Sequence, residues 1–214
     1  MTTSSQPKQP PMVIGLTGCF ASGKSEAANL FKKLGMHVID ADLLAREATS
    51  PRSAGLNEIK RVFGENFINP DGSLNRPLIA KVVFDAKEKL KLLENIIHPI
   101  VRSLFLERLH ALVERNAPPP DLVLFVVPLL FESRIAYPEI SKIITVSAPK
   151  EICILRAMKR DGISRAEAEQ RLKAQLPSEE KEKLANWVIR NDQGREHLEA
   201  EVSRVFNEII QLKH

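Results

Sequence analysis

Gly18-Cys19-Phe20-Ala21-Ser22-Gly23-Lys24-Ser25 fits the pattern G-x-x-x-x-G-K-[S/T], and each position in it has a phosphate-binding task. The glycines let successive backbone N–H groups turn inward onto phosphate oxygens. A helix opening at Lys24 adds the positive end of its dipole. Lys24 is placed to reach the β- and γ-phosphates, and the Ser25 hydroxyl to ligate Mg²⁺. The bland alternative is a Gly-rich strand-to-helix turn that binds nothing. The apolar run at residues 12–17 just before the motif, and the helical pattern just after it, weigh against that alternative. Gly18, Phe20, Ala21, Ser22, Gly23, Lys24 and Ser25 are therefore the candidate nucleotide-binding residues.

A bound triphosphate does not by itself separate a kinase from an ATPase or a GTPase. The chain has no N-K-x-D segment, which weakens a guanine reading. Asp40-Ala41-Asp42 follows the second apolar strand pattern. A hydroxyl acceptor needs a carboxylate to orient it and take its proton, and Asp42 is the candidate for that role. Asp40 is the candidate for holding Mg²⁺ through water, or for fixing the turn. The competing readings are a helix N-cap for Asp40 and a first-turn acid for Asp42. Glu132 stands five residues after Val127. Support for Mg²⁺ thus comes from Asp40 or Asp42, or Glu132 folds back, and the spacing leaves this open. Arg156 and Arg160 share a helix face, Gly162 breaks that helix, Ser164 caps the next, and Arg171 lies on it. Such a segment suits a lid that closes cations over a triphosphate, or else a solvated charged face helped by Glu167 and Glu169. Cys19 puts a thiol beside the phosphates, either reactive and shielded by ATP or buried and inert.

Alternating patterns place these residues. Strand patterns occur at 12–17, 37–40, 122–127, 142–146 and 186–190, and helical ones at 24–34 and toward the C-terminus. Their order implies an α/β fold: a parallel five-stranded sheet with helices on both sides, the core of a P-loop kinase. The stretch between the second and third strands is far longer than a crossover needs. It carries helical periodicity at 78–84 and 90–113 and ends near Ala117-Pro118-Pro119-Pro120. The expected division is a disordered tail at 1–11, a nucleotide-binding core at 12–45 and 118–214 with a helical lid at about 153–180, and a helical acceptor insertion at 46–117. The 214 residues, 43% hydrophobic and 27% charged, suit one globular core with an insertion. A charge of +4 without basic runs interleaved with aromatics gives no ground for nucleic-acid binding. Cys19 and Cys153 are too far apart in sequence for a disulfide framework, which favours the reducing cytoplasm. The longest apolar run is too short for a bilayer, and the polar N-terminus lacks the apolar stretch of a signal peptide.

Taken in order, eight segments resemble the dephospho-CoA kinase family. They are Gly15-Leu16-Thr17-Gly18 through Ser25, Val38-Ile39-Asp40-Ala41-Asp42 with Ala45-Arg46, Leu74-Asn75-Arg76, Ile97-His98-Pro99, Val127-Pro128-Leu129-Leu130-Phe131-Glu132, Arg156 with Arg160-Asp161, Arg171 with Gln175-Leu176, and Val188-Ile189 with Asn191. The resemblance implies transfer of the γ-phosphoryl of ATP to the 3′-hydroxyl of dephospho-CoA, with Mg²⁺. It implies catalytic roles for Asp42 and Lys24 and acceptor contacts for Asp42, Arg76, His98, Pro128 and Leu129. Arg156 and Asn191 then fall on the adenine and lid side, and Ser25 and Asp40 on the metal. A small-molecule acceptor is implied, with no nucleic acid, membrane or obligate protein partner. The chain departs from the family's usual pattern at Cys19-Phe20-Ala21 and at Asn186-Trp187. The competing functions are another nucleoside or nucleotide kinase, and a nucleotide-binding switch without an acceptor.

Overall fold

The computed structural model describes residues 11–84, 86–115, 121–133 and 135–212. The expected tail, save residue 11, and the proline run at 118–120 lie outside the described residues. In chain order come β1 (Met12–Gly18), α1 (Lys24–Lys33), β2 (His37–Asp40), α2 (Ala41–Ala48), α3 (Ala54–Phe63), α4 (Arg76–Phe84), α5 (Lys87–Arg115), β3 (Leu122–Val126), β4 (Ile140–Ser147), α6 (Lys150–Asp161), α7 (Arg165–Lys173), α8 (Ser178–Leu184), β5 (Trp187–Arg190) and α9 (Arg195–Gln211).

All five expected strands form one sheet in the order β2-β3-β1-β4-β5. β1 is central, paired in parallel with β3 (Ile14↔Leu124) and with β4 (Leu16↔Ile144), while β4 pairs in parallel with β5. Central strands of a parallel sheet are covered on both faces, which is why β3 reads as an unbroken apolar run with no polar alternation. On one face Ile14, Leu16, Leu124 and Val126 pack with Ala27 and Phe31 of α1 and with Val202 and Val205 of α9. The carboxyl ends of the strands thereby present their loops along one edge, where open parallel sheets hold ligands.

The chain divides into two compact units: one runs to Ile39 and resumes at Val113, and the other is Asp40–Leu112. The second unit is helical, with Leu56 and Ile59 of α3 and Ile79 and Val83 of α4 in its core. Helix α2 starts at the N-cap that is one of the two readings of Asp40, whereas α3 has no counterpart among the sequence patterns, although it too carries a cap signal. Asp40 accepts from the backbone N–H groups of Asp42 and Leu43, and Ser53 from that of Leu56. Pro99 lies inside α5, where its missing N–H removes one bond of the helical ladder.

Candidate active site

The loop from Gly18 to Ser25 joins the end of β1 to the start of α1, as the motif requires. Its backbone geometry explains both glycines. A Cβ on Gly18, whose φ is +150°, would lie 2.3 Å from the carbonyl oxygen of Val146. On Gly23, whose φ is +102°, it would meet the Asn191 Nδ2 at 2.1 Å. Ala21 adopts a φ of 58°, a left-handed conformation that costs a residue with a Cβ about 1–2 kcal/mol. Such local strain persists only where the surroundings over-determine it. The Lys24 Nζ donates to the carbonyl oxygens of Gly18 (2.9 Å) and Cys19 (2.8 Å), which fixes the ammonium at the mouth of the loop. Ser25 is exposed at the first turn of α1.

Two braces hold the loop from outside. Asn191, just past β5 and 6% exposed, donates from Nδ2 to the Ser22 carbonyl at 2.8 Å. Arg156 of α6 donates in turn to the backbone and side-chain oxygens of Asn191, at 3.0 and 3.3 Å. The expected pair Arg156 and Asn191 is thus brought together, directly behind the phosphate loop. The second brace comes from the segment after α7. Gln175 Oε1 accepts from the Phe20 N–H at 2.8 Å, and the Leu176 carbonyl accepts from the Cys19 thiol at 3.7 Å. Cys19 is buried, which favours the inert-thiol reading. Burial pushes the Cys153 thiol up to about 11, with Cys19 adding to the effect.

Glu132 has a role the spacing could not reveal. Its Oε1 accepts from the Leu176 N–H at 2.9 Å and stands 2.8 Å from the Nζ of Lys181, a lysine with no exposed side-chain surface. This carboxylate therefore anchors the return arm of the arginine-rich segment. Nothing in the sequence flags Lys181, since Ser178–Leu184 reads as a solvated Glu/Lys helix. Gln175 is likewise silent in the sequence, because a lone glutamine carries no spacing signal. On the other side of β1, the Thr17 hydroxyl donates to the Pro128 carbonyl at 3.1 Å, and Leu129 beside it is exposed.

In the Asp40–Leu112 unit, Asp42 is an exposed first-turn residue of α2. Asp40 Oδ1 lies 2.8 Å from the Asp42 nitrogen, so this oxygen serves the N-cap. Arg76 donates from Nη2 to Thr49 Oγ1 at 2.7 Å, at the C-terminal end of α2. Its neighbours in the same segment have structural tasks: Leu74 is buried, and Asn75 Oδ1 accepts from the Leu78 N–H. Burial holds His98 below the usual imidazole range, opposed by the carboxylate of Glu94.

The family model for dephospho-CoA kinase matches residues 12–197. The chain belongs to the dephospho-CoA kinase family. A dephospho-CoA kinase of Geobacter sulfurreducens is 39% identical over 194 residues, covering 91% of this chain and 96% of that protein. Among solved structures, a Thermus thermophilus protein is 36% identical with a TM-score of 0.79, covering 95% of this chain and 98% of its own. A dephospho-CoA kinase from Campylobacter jejuni is 32% identical with a TM-score of 0.67, covering 94% and 98%. As a member of the dephospho-CoA kinase family this chain is an ATP-using phosphotransferase that converts dephospho-CoA to coenzyme A. The family match runs through the loop, both of its braces and the insertion alike. No helix among the described residues is long and apolar enough to cross a membrane.

Proposed function

We propose a residue-level reading of the kinase reaction, carried by one observation: the P-loop is already shaped and braced, with Lys24 fixed at its mouth. The backbone N–H groups of Gly23, Lys24 and Ser25 take the phosphates of ATP, while that of Ser22 bonds the Cys19 carbonyl. Lys24 neutralises charge on the migrating γ-phosphoryl group. Asp42 accepts the proton of the 3′-hydroxyl of dephospho-CoA as its oxygen attacks the γ-phosphorus, and the bond to the bridging oxygen breaks to release ADP. Arg76 and His98 contribute to acceptor binding, with Pro128 and Leu129 on the loop after β3. Arg156 and Asn191 serve the adenine side while bracing the loop.

The donor set suits Mg²⁺. Among the described residues no group of three or more His, Cys, Asp or Glu could form a dedicated metal cage. A magnesium ion bound through one hydroxyl, phosphate oxygens and waters needs no such cage. Ser25 would supply the hydroxyl. Asp40, through its carboxylate beyond the N-cap bond, would hold a coordinated water. When bound, the ion would supply positive charge that neutralises the phosphate oxygens. Two free cysteines, not joined to each other, favour the cytoplasm as the working compartment.

The test is an acceptor panel with ATP and Mg²⁺, read by mass detection of the product. Dephospho-CoA should turn over faster than any nucleoside or nucleoside monophosphate. Faster turnover of a monophosphate, or ATP consumption indifferent to dephospho-CoA, would overturn the reading.

A further inference from the structure

Phe20 occupies a loop position whose side chain has no part in the pattern G-x-x-x-x-G-K-[S/T], yet two cations lie over its ring. The guanidinium carbon of Arg160 lies 5.4 Å from the ring centroid and that of Arg171 5.3 Å from it. Arg160 lies in the last turn of α6 and Arg171 on α7, so the ring joins two helices of the arginine-rich segment to the phosphate loop. Both guanidiniums also face one carboxylate: Arg160 bonds Asp161 through two nitrogens, at 2.7 and 2.8 Å, and Arg171 lies 4.0 Å from it. Two positive groups thus share one negative one, and the electron-rich ring face takes up part of the remaining field. Around them Ile154, Ala157, Ala168 and Leu172 form an apolar cluster with the ring. The backbone N–H of Phe20 is fixed as well, by Gln175.

The geometry points to Phe20 as a positioning residue that holds Arg160 and Arg171 beside the phosphate loop, ready for the negative charge of the migrating phosphoryl group. The inference rests on the kinase reading above. Without the ring, two guanidiniums at the ends of long side chains would sample many rotamers. They would then have to be reordered in each turnover, and preorganised charge is what a phosphoryl-transfer site relies on. The ring stacks on flat cations without competing for the hydrogen-bond donors that phosphate oxygens need.

The experiment compares Phe20→Leu, which keeps apolar bulk and loses the π face, with Phe20→Tyr, which keeps the face. Two cation–π contacts of ordinary strength predict a loss in kcat of about 5- to 30-fold for Phe20→Leu, with KM for ATP within about threefold. Phe20→Tyr should hold the loss below about threefold. In an Arg160→Ala/Arg171→Ala background, Phe20→Leu should add no further loss, because the ring acts only through those cations. A Phe20→Leu protein with wild-type kcat overturns the inference, as does a loss equal in Phe20→Tyr or fully additive to the arginine changes. A lower melting temperature with unchanged kcat also overturns it, since that is the mark of plain packing. Wild-type protein inactive toward dephospho-CoA would instead defeat the underlying kinase reading.

Discussion

In the nucleotide unit, the side chains that fix the P-loop come from segments far away in sequence. Asn191 holds Ser22, Gln175 holds Phe20, and Leu176 and Pro128 receive the Cys19 thiol and the Thr17 hydroxyl. These contacts are buried or partly buried. In the Asp40–Leu112 unit the ion pairs Glu47–Arg108, Glu58–Arg61 and Lys60–Glu65 are open to water and join segments closer in sequence. A hydrogen bond shielded from water is costly to break, because its partner is left unsatisfied, whereas an exposed ion pair contributes little. Substitutions behind the P-loop should therefore reach the chemistry, and the surface charge pairs of the insertion should be nearly silent.

Asp42 is where that contrast should break. It lies in the Asp40–Leu112 unit and is exposed, so by exposure alone its replacement should be nearly silent. If it is the base, Asp42→Asn lowers kcat by about 10²–10⁴-fold while the Kd for ATP stays near wild type. Steady-state kinetics alongside equilibrium ATP binding decide the matter. Activity within a few-fold of wild type would confine the insertion to acceptor binding. Next in size is Lys24→Ala, which removes an ammonium held by two loop carbonyls. By analogy with loss of one preorganised donor, turnover should fall about a hundredfold, equivalent to about 3 kcal/mol. A fall of less than about fivefold would remove Lys24 from the chemical step.

What could be read without coordinates follows the same division. The P-loop was legible because its tasks sit on eight contiguous residues, and the sheet because each strand is a short apolar run of its own. The N-cap of Asp40 was also in view as a competing reading, and its oxygen does meet the Asp42 nitrogen. Gln175, Glu132 and Lys181 could not be assigned, since their partners lie on other elements and no periodicity marks them. A lysine among glutamates reads as solvated unless one knows which way its helix faces. Helix α3 has no counterpart among the sequence patterns, because its cap, Ser53, precedes a short segment whose apolar face, Leu56 and Ile59, emerges only against Ile79 and Val83 of α4. The motif marks Phe20 only as one of the loop's nucleotide-binding positions. Only the third dimension places its ring beside two arginines, 140 and 151 residues onward on different helices.

Smaller effects sharpen the contrast. Asn191→Ala strips the Ser22 carbonyl of its buried donor and leaves Arg156 without an acceptor side chain. Such losses cost about 1–3 kcal/mol. Here they should appear both as a lower melting temperature and as weaker ATP binding, because the contact braces the phosphate loop itself. Lowered stability with unaltered ATP affinity would mean that the brace is structural only. Arg108→Ala is the counterpart in the insertion. The Arg108 Nη2 lies 2.8 Å from both oxygens of Glu47, as short as the Asn191 contact, so distance alone would rank the two alike. Their surroundings do not: both side chains of the ion pair are about half exposed, at 52% and 42%. Water and salt screen such a pair, and holding two long side chains together costs entropy, leaving at most about 1 kcal/mol. Arg108→Ala should thus shift the unfolding midpoint slightly, leave kcat and both KM values unchanged, and differ least from wild type in about 1 M salt. A loss of activity on the scale of Asn191→Ala would show that water exposure is the wrong measure for separating the two units, and that the α2–α5 contact transmits to the acceptor site.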